Sequence, residues 1–220
     1  MMIKPETFAF LADLAENNNR DWFQTNKQRF NDAQENMTAF AAELIKALAN
    51  TDSYVDAAIE PKKTVMRIYR DVRFSKDKTP YKTNMAIGRL TRYNIPEIGY
   101  WLQIEPGQSF IAGGYWMPSN EHLKAIRQEI DYSGSKLIRI VDAPEFKELF
   151  GEFRDQEQLK TLPKGYEADH ENIRLLKLKS FIAYRDLTNE ELQAEDAVKK
   201  VASLCSKIQP LNVFLNQAIN

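Results

Sequence analysis

Cysteine is almost absent. Cys205 stands alone among 220 residues, which excludes an intramolecular disulfide framework and fits a reducing compartment. It sits in a semi-apolar, helix-like run, Val-Ala-Ser-Leu-Cys-Ser-Lys-Ile, where a buried, inert thiol is the commoner role and thiol catalysis is not expected. Histidine is nearly as scarce. His122 and His170 have no second His or Cys at ligand spacing, so no metal is expected. The eight glycines form no phosphate-cradling loop and no dinucleotide fingerprint, and no G-x-S-x-G is present, so no cofactor is expected. No apolar run approaches the roughly 18 residues that span a bilayer. The stretch Met1–Leu14 contains Glu6 and Asp13 and lacks a small-residue cleavage site. The expectation is a cytoplasmic protein with no membrane partner.

What is there is an ordinary globular composition, 43% apolar and 28% charged, in a chain long enough to bury a core without staples. Pro5 suits a first helical turn, and Phe8, Leu11 and Leu14 follow at helical spacing. Asn19 is placed to cap a second helix. From Arg20 to about Asn50 apolar positions recur every three or four residues, predicting one long amphipathic helix. Then the period changes. Thr64–Tyr69, Asn84–Thr91, Ile98–Glu105 and Ser109–Trp116 read as strands by β-branched and aromatic content. Glu105-Pro106-Gly107 suits a type II turn, making the last two a hairpin. Gly113-Gly114 predicts a bulge, or a close approach such as a ligand passing over the glycines.

Ser119 is placed to cap a helix through about Tyr132, and residues 135–141 suit helix and strand alike. Asp142–Glu145 open a short helix that ends at Gly151, followed by a polar stretch over residues 152–169 and a helix over Glu171–Leu178. Ser180–Asp186 reads as a late strand, and Thr188–Glu191 as a capping box. Helical segments close the chain from about Ala194 to Ala218, interrupted or kinked at Pro210. No repeat or linker divides this order. The expectation is α+β: a single domain over residues 1–220, its mainly antiparallel central sheet flanked by N- and C-terminal helices.

Charge is balanced overall, at −1, but not locally. Lys62–Arg92 holds ten Lys/Arg against Asp71 and Asp77, leaving 20 basic and 29 acidic residues elsewhere. Within it Arg67, Arg70 and Arg73 recur every third residue, a spacing that cannot keep all three on one face of an extended chain. A turn near Asp71 would gather Arg70 and Arg73 around its carboxylate, where a guanidinium can be held bidentately. Lys78, Tyr81 and Lys82 follow. Guanidinium forks beside a carboxylate and a phenol suit a phosphate or carboxylate ligand. The same residues could form an internal salt-bridge network, with surplus cations meeting acids such as Glu190, Glu191, Glu195 and Asp196, or a solvated basic face. Asn17–Phe23 suits an inter-helix turn with a buried Trp-Phe anchor. Its functional alternative places Asn18, Arg20 and Trp22 at the rim of the arginine site.

The series Arg67-x-x-Arg70-Asp71-x-Arg73-Phe74, with Asp77-Lys78 and Tyr81 beyond it, resembles the R-x-x-R-D-x-R-F…D-K-x-x-Y signature of a bacterial family of conserved proteins with chains of about this length, a domain of unknown function. The Asn-Arg-Asp-Trp-Phe opening, the Glu105-Pro-Gly turn, Gly113-Gly114-x-Trp116-x-Pro118 and Pro163-Lys-Gly-Tyr166 are similar to its other recurring blocks. The resemblance covers nearly the whole chain. It implies one domain, and it makes Arg67, Arg70, Asp71, Arg73, Phe74, Asp77, Lys78 and Tyr81 the best site candidates; it implies no reaction.

These residues together point to an anion-binding pocket for a phosphorylated or carboxylated small molecule, built from Arg67, Arg70, Arg73, Lys78 and Tyr81. Trp116 or Trp22 would wall it. In a catalytic version the arginines would stabilise developing negative charge, with Asp71 and Tyr81 as proton-transfer groups. The alternatives are a non-catalytic module for nucleic acid or protein, and an arginine motif that serves the fold alone. Phe74, Tyr81, Tyr93, Tyr100 and Trp101 could stack bases, but the acidic balance of the chain, with a pI near 6.2, and the lack of a recognition motif argue against nucleic acid. No oligomeric state is written in the pattern.

Overall fold

The computed structural model describes residues 1–91, 93, 95–153 and 158–219. Arg92 of the basic window and positions 154–157 of the polar stretch lie outside the described residues. Pro5 opens α1 (Pro5–Glu16), which buries Phe8, Phe10, Leu11 and Leu14. Asn19 caps α2 (Arg20–Thr25) by accepting from the Trp22 N–H at 2.9 Å. The single long helix expected from Arg20 is instead two. Asn26, at φ −101 and ψ 20, separates α2 from α3 (Lys27–Ala49). Its side chain donates to the Trp22 carbonyl at 3.0 Å, the competition with helical bonding that asparagine offers a backbone.

The strand expected over Thr64–Tyr69 is also corrected. Pro61 starts a single turn, α4 (Pro61–Thr64). The chain then runs extended beside residues 80–88 through two isolated bridges, Val65 with Ile87 and Tyr69 with Tyr81. These bridges are out of register by two residues, so no continuous ladder passes through both. The strand expected over Asn84–Thr91 shortens to β1 (Met85–Ile87), because Arg89 turns the chain at φ 58.

β2 (Ile98–Ile104) and β3 (Ser109–Tyr115) form the expected hairpin. Its turn closes where the Gln108 N–H donates to the Glu105 carbonyl at 3.0 Å, with Gly107 at φ 70, the positive φ that a type II turn needs at this position. The expected bulge at Gly113-Gly114 does not form; the register is unbroken from Ile98–Tyr115 to Gln103–Phe110. β4 (Phe181–Leu187) pairs on the far side of β3. A Cβ on Gly114, at φ 122, would collide with the Phe181 carbonyl oxygen. The close approach is made by backbone.

α5 (Asn120–Val141) is capped by Ser119, absorbs residues 135–141 and is only kinked at Ser133. α6 (Pro144–Phe150) ends at Gly151 as expected, whereas the helix over Glu171–Leu178 shrinks to one turn, α7 (Ile173–Leu176). The capping box starts α8 (Asn189–Gln193). α9 (Ala197–Ile219) continues through Pro210. The fold is therefore α+β, with a four-stranded antiparallel sheet in the order β1-β2-β3-β4.

α9 packs across β2 and β3, with α3 and α5 against its flanks. On β2, Ile98, Tyr100, Leu102 and Ile104 are buried, while Trp101 and Gln103 on the other face are half-buried. This alternation is the signature of a sheet covered more fully on one side. Buried apolar side chains from Ile3 to Leu215 form one contiguous cluster. Among the described residues no helix is long and apolar enough to cross a membrane.

Candidate functional site

The extended run 65–70 lies along the β1 edge, tied to it by Met66 N–H donating to Ala86 O at 2.8 Å and Lys82 N–H donating to Ile68 O at 2.7 Å. Successive side chains of an extended chain face opposite ways. Arg67 and Tyr69 accordingly face solvent, Tyr69 with 47% of its surface exposed, while Ile68 between them is buried. Arg67 and Tyr69 thus share one outer surface, and Arg70 turns away into the loop that follows.

That loop, residues 71–79, is held by its own charges. Arg70 donates to Asp77 and to the hydroxyl and carbonyl of Thr79. Arg73 forms the bidentate fork with Asp71, Nε to Oδ1 at 2.9 Å and Nη2 to Oδ2 at 2.6 Å. Lys78 Nζ donates to the Val72 carbonyl at 2.9 Å. Asp71 orients a guanidinium as its position suggests, but only that of Arg73. Its bonds to the Arg73 side chain and amide hold the Asp71 carboxyl below the usual range. Asp77, bound first by the Thr79 amide and then by Arg70, is lowered to about 2. Arg70, Arg73 and Lys78 therefore already have acceptors within the protein. Those acceptors are local; the acidic residues near the end of the chain pair elsewhere, Glu191 with Arg185 and Asp196 with Lys200.

The loop returns to Tyr81, which is buried and stacked on Phe23 at 4.0 Å and 12°. Asn18 grips its backbone from both sides: Nδ2 donates to Tyr81 O at 2.9 Å, and Tyr81 N–H donates to Oδ1 at 3.1 Å. This brings the Asn17–Phe23 cluster to the arginine motif, 63 residues away in sequence. Burial chiefly, with Tyr69 adding to it, pushes the Tyr81 phenol up, while the Arg20 charge pulls it down. At neutral pH Tyr81 is a protonated donor.

Two further cations complete the surface. Lys82 is partly buried, and burial together with the nearby charge of Arg67 pushes its ammonium down. Among the described residues Arg20, Arg67 and Lys82 form no ion pair. The result is an open shelf of Arg67 and Tyr69, with Arg20 near Tyr81; Lys82, opposite Ile68 across the bridge, leaves the backbone on the other face, near enough for the Arg67 charge to act on its ammonium. Tyr69 and Lys82 were the residues the sequence motif undervalued. The signal was present in the alternation Arg67-Ile68-Tyr69, which fixes two side chains on the same face once the segment is known to be extended.

Neither tryptophan walls this shelf. Trp22 stacks on Phe10 at 6.1 Å and 26°, with the Arg29 guanidinium 5.9 Å from its ring. Trp116 is 53% exposed and follows Tyr115, which pairs with Ile98. Met85, the strand residue nearest the shelf, pairs with Ile104 at the opposite end of β2. Among the described residues no group of three His, Cys, Asp or Glu could hold a metal ion.

The chain belongs to the DUF2461 family, described as a conserved hypothetical protein, whose model matches residues 6–214. No curated protein matches the chain, and neither does any solved structure.

Proposed function

We propose that this DUF2461 protein binds a phosphorylated or carboxylated small molecule on the shelf, its anion held by Arg67 and Lys82 with Arg20 and the Tyr81 phenol beside them. The observation that carries the reading is the Arg67–Lys82 pair. Arg70, Arg73 and Lys78, the motif's other cations, each donate to an acceptor within the protein, whereas Arg67 and Lys82 form no ion pair among the described residues and the Arg67 charge adds to burial in pushing the Lys82 ammonium down. Like charges brought together at a partly desolvated position oppose one another, and an anion between them removes the opposition. Arg70 and Arg73 are the frame: they fix the 71–79 loop that borders the shelf. Asp71, engaged by Arg73, is the less suitable proton carrier, and Tyr81 is the available donor. The setting we propose is a reducing bacterial cytoplasm, which suits a lone, fully buried cysteine.

Phosphate titrated at low ionic strength tests this. Wild type is expected to gain thermal stability with phosphate, by about 2.7 kcal/mol at a hundred times Kd. Arg67→Ala and Lys82→Ala are each expected to abolish the gain while melting no lower than wild type without phosphate. A wild type indifferent to phosphate and sulfate would sink the proposal.

A further inference from the structure

The shelf offers more than cations, and resting on the anion-binding reading above we propose that its ligand joins a flat unsaturated ring to the anion, as a nucleoside phosphate or an aryl phosphate does, with Tyr69 as the stacking platform. Tyr69 is 47% exposed although its backbone is bridged to Tyr81. Its ring rests against Tyr81, 5.5 Å between centroids at 51°, and Phe23, 6.2 Å at 55°. Those two rings are themselves stacked, and both are buried. Behind them the Lys27 ammonium lies 5.0 Å from the Phe23 centroid. A tyrosine on such a floor presents a rigid ring at little cost in conformational entropy.

Position gives the ligand its second dimension. Arg67 precedes Tyr69 by two residues on the same face, a separation of roughly 7 Å along an extended chain. An anion at Arg67 would thus lie about one sugar unit from a ring on Tyr69. A guanidinium and an exposed phenol ring at this spacing match a nucleotide better than a free phosphate or a small carboxylate. The competing occupant is a nucleic-acid strand, since Phe74 is 97% exposed at the tip of the loop with the Arg73 guanidinium 5.9 Å from its ring. The net charge of −1 favours the mononucleotide-sized ligand, because strand binding draws on many phosphate contacts.

Titration calorimetry at low salt with adenosine 5′-monophosphate, phenyl phosphate, ribose 5-phosphate and inorganic phosphate, and separately with a thymidine oligonucleotide, decides it. In wild type the adenosine phosphate is expected to bind about tenfold or more tighter than ribose 5-phosphate, the scale of one aromatic stack. Tyr69→Ala should erase that advantage and keep ribose 5-phosphate binding; Tyr69→Phe should keep both. Because Tyr69 is exposed, both variants should fold, and circular dichroism checks that. Phenyl phosphate matching the adenosine phosphate assigns any flat ring; a preference for the latter assigns the nucleoside. Equal binding of adenosine and ribose phosphates overturns the ring inference and leaves the anion shelf standing. No binding of any of the four overturns both. Tight binding only of a thymidine oligonucleotide, lost in Phe74→Ala, overturns it in favour of a strand.

Discussion

The Asp77 carboxylate accepts from the Thr79 amide at 2.9 Å, from Arg70 and from the Thr79 hydroxyl, and these bonds together hold its pKa at about 2 against an ordinary 3.8. A folded value below the unfolded one means the contribution is complete above about pH 4 and is lost as pH falls through about 2. Loop 71–79 should therefore loosen only in that acid window. Carbon NMR of the Asp77 side chain should titrate with a midpoint near 2, rising part-way in Arg70→Ala because the Thr79 amide remains. An ordinary midpoint in wild type would mean that neither the Thr79 amide nor Arg70 is engaged. The same pairing explains what was legible at this scale. The spacing of Arg70, Asp71 and Arg73 revealed that a carboxylate holds a guanidinium; which carboxylate holds Arg70 depends on a loop closure that no local spacing encodes.

At the scale of elements, local chemistry was readable and long-range pairing was not. Asn19, Ser119 and the Thr188–Glu191 box all cap the helices they announce, because a cap is satisfied within four residues. The run 65–70 was misjudged for the opposite reason: its partners at residues 80–88 are two residues out of register. Asn18 is the extreme case, and it is testable. Its amide supplies both bonds to the Tyr81 backbone, so Asn18→Ala should cost about 1–3 kcal/mol in urea unfolding and speed tryptic cleavage within the 71–79 loop. Unchanged cleavage would show that the loop is held by its own ion pairs alone. The glycines permit a cleaner contrast. Gly107 and Gly114 both have positive φ, but a Cβ at Gly107 meets nothing within 4 Å. Gly107→Ala should cost about 1–2 kcal/mol, the backbone penalty alone. Gly114→Ala adds the collision with Phe181 and should cost about 3 kcal/mol or more. Equal losses would mean that β4 can retreat from β3.

Over the whole molecule the order of strand and helix patterns gave the class, α+β, but hid how charge is placed in the interior. Asp52 is only 1% exposed, and among the described residues no ion pair reaches it. Tyr100 of β2 donates to it at 2.6 Å, the Tyr54 N–H at 2.9 Å and Gln209 of α9 at 3.4 Å. One carboxylate thus joins the end of α3, the sheet and the last helix, and its charge also helps to raise the buried Cys205 thiol, after burial itself. A buried charge is tolerable only while its donors hold. Tyr100→Phe is therefore expected to cost about 2–3 kcal/mol, the upper range for a bond to a charged group, with an unchanged denaturant slope if the three elements unfold together. Asp52→Asn removes the charge that makes the missing donor expensive. In the double variant the Tyr100→Phe loss should shrink to about 1 kcal/mol, a coupling that independent sites would not show. If the two losses simply add, the Tyr100 hydroxyl does not draw its worth from the Asp52 charge, and the tie between sheet and last helix must be sought in the apolar contacts around Ile208.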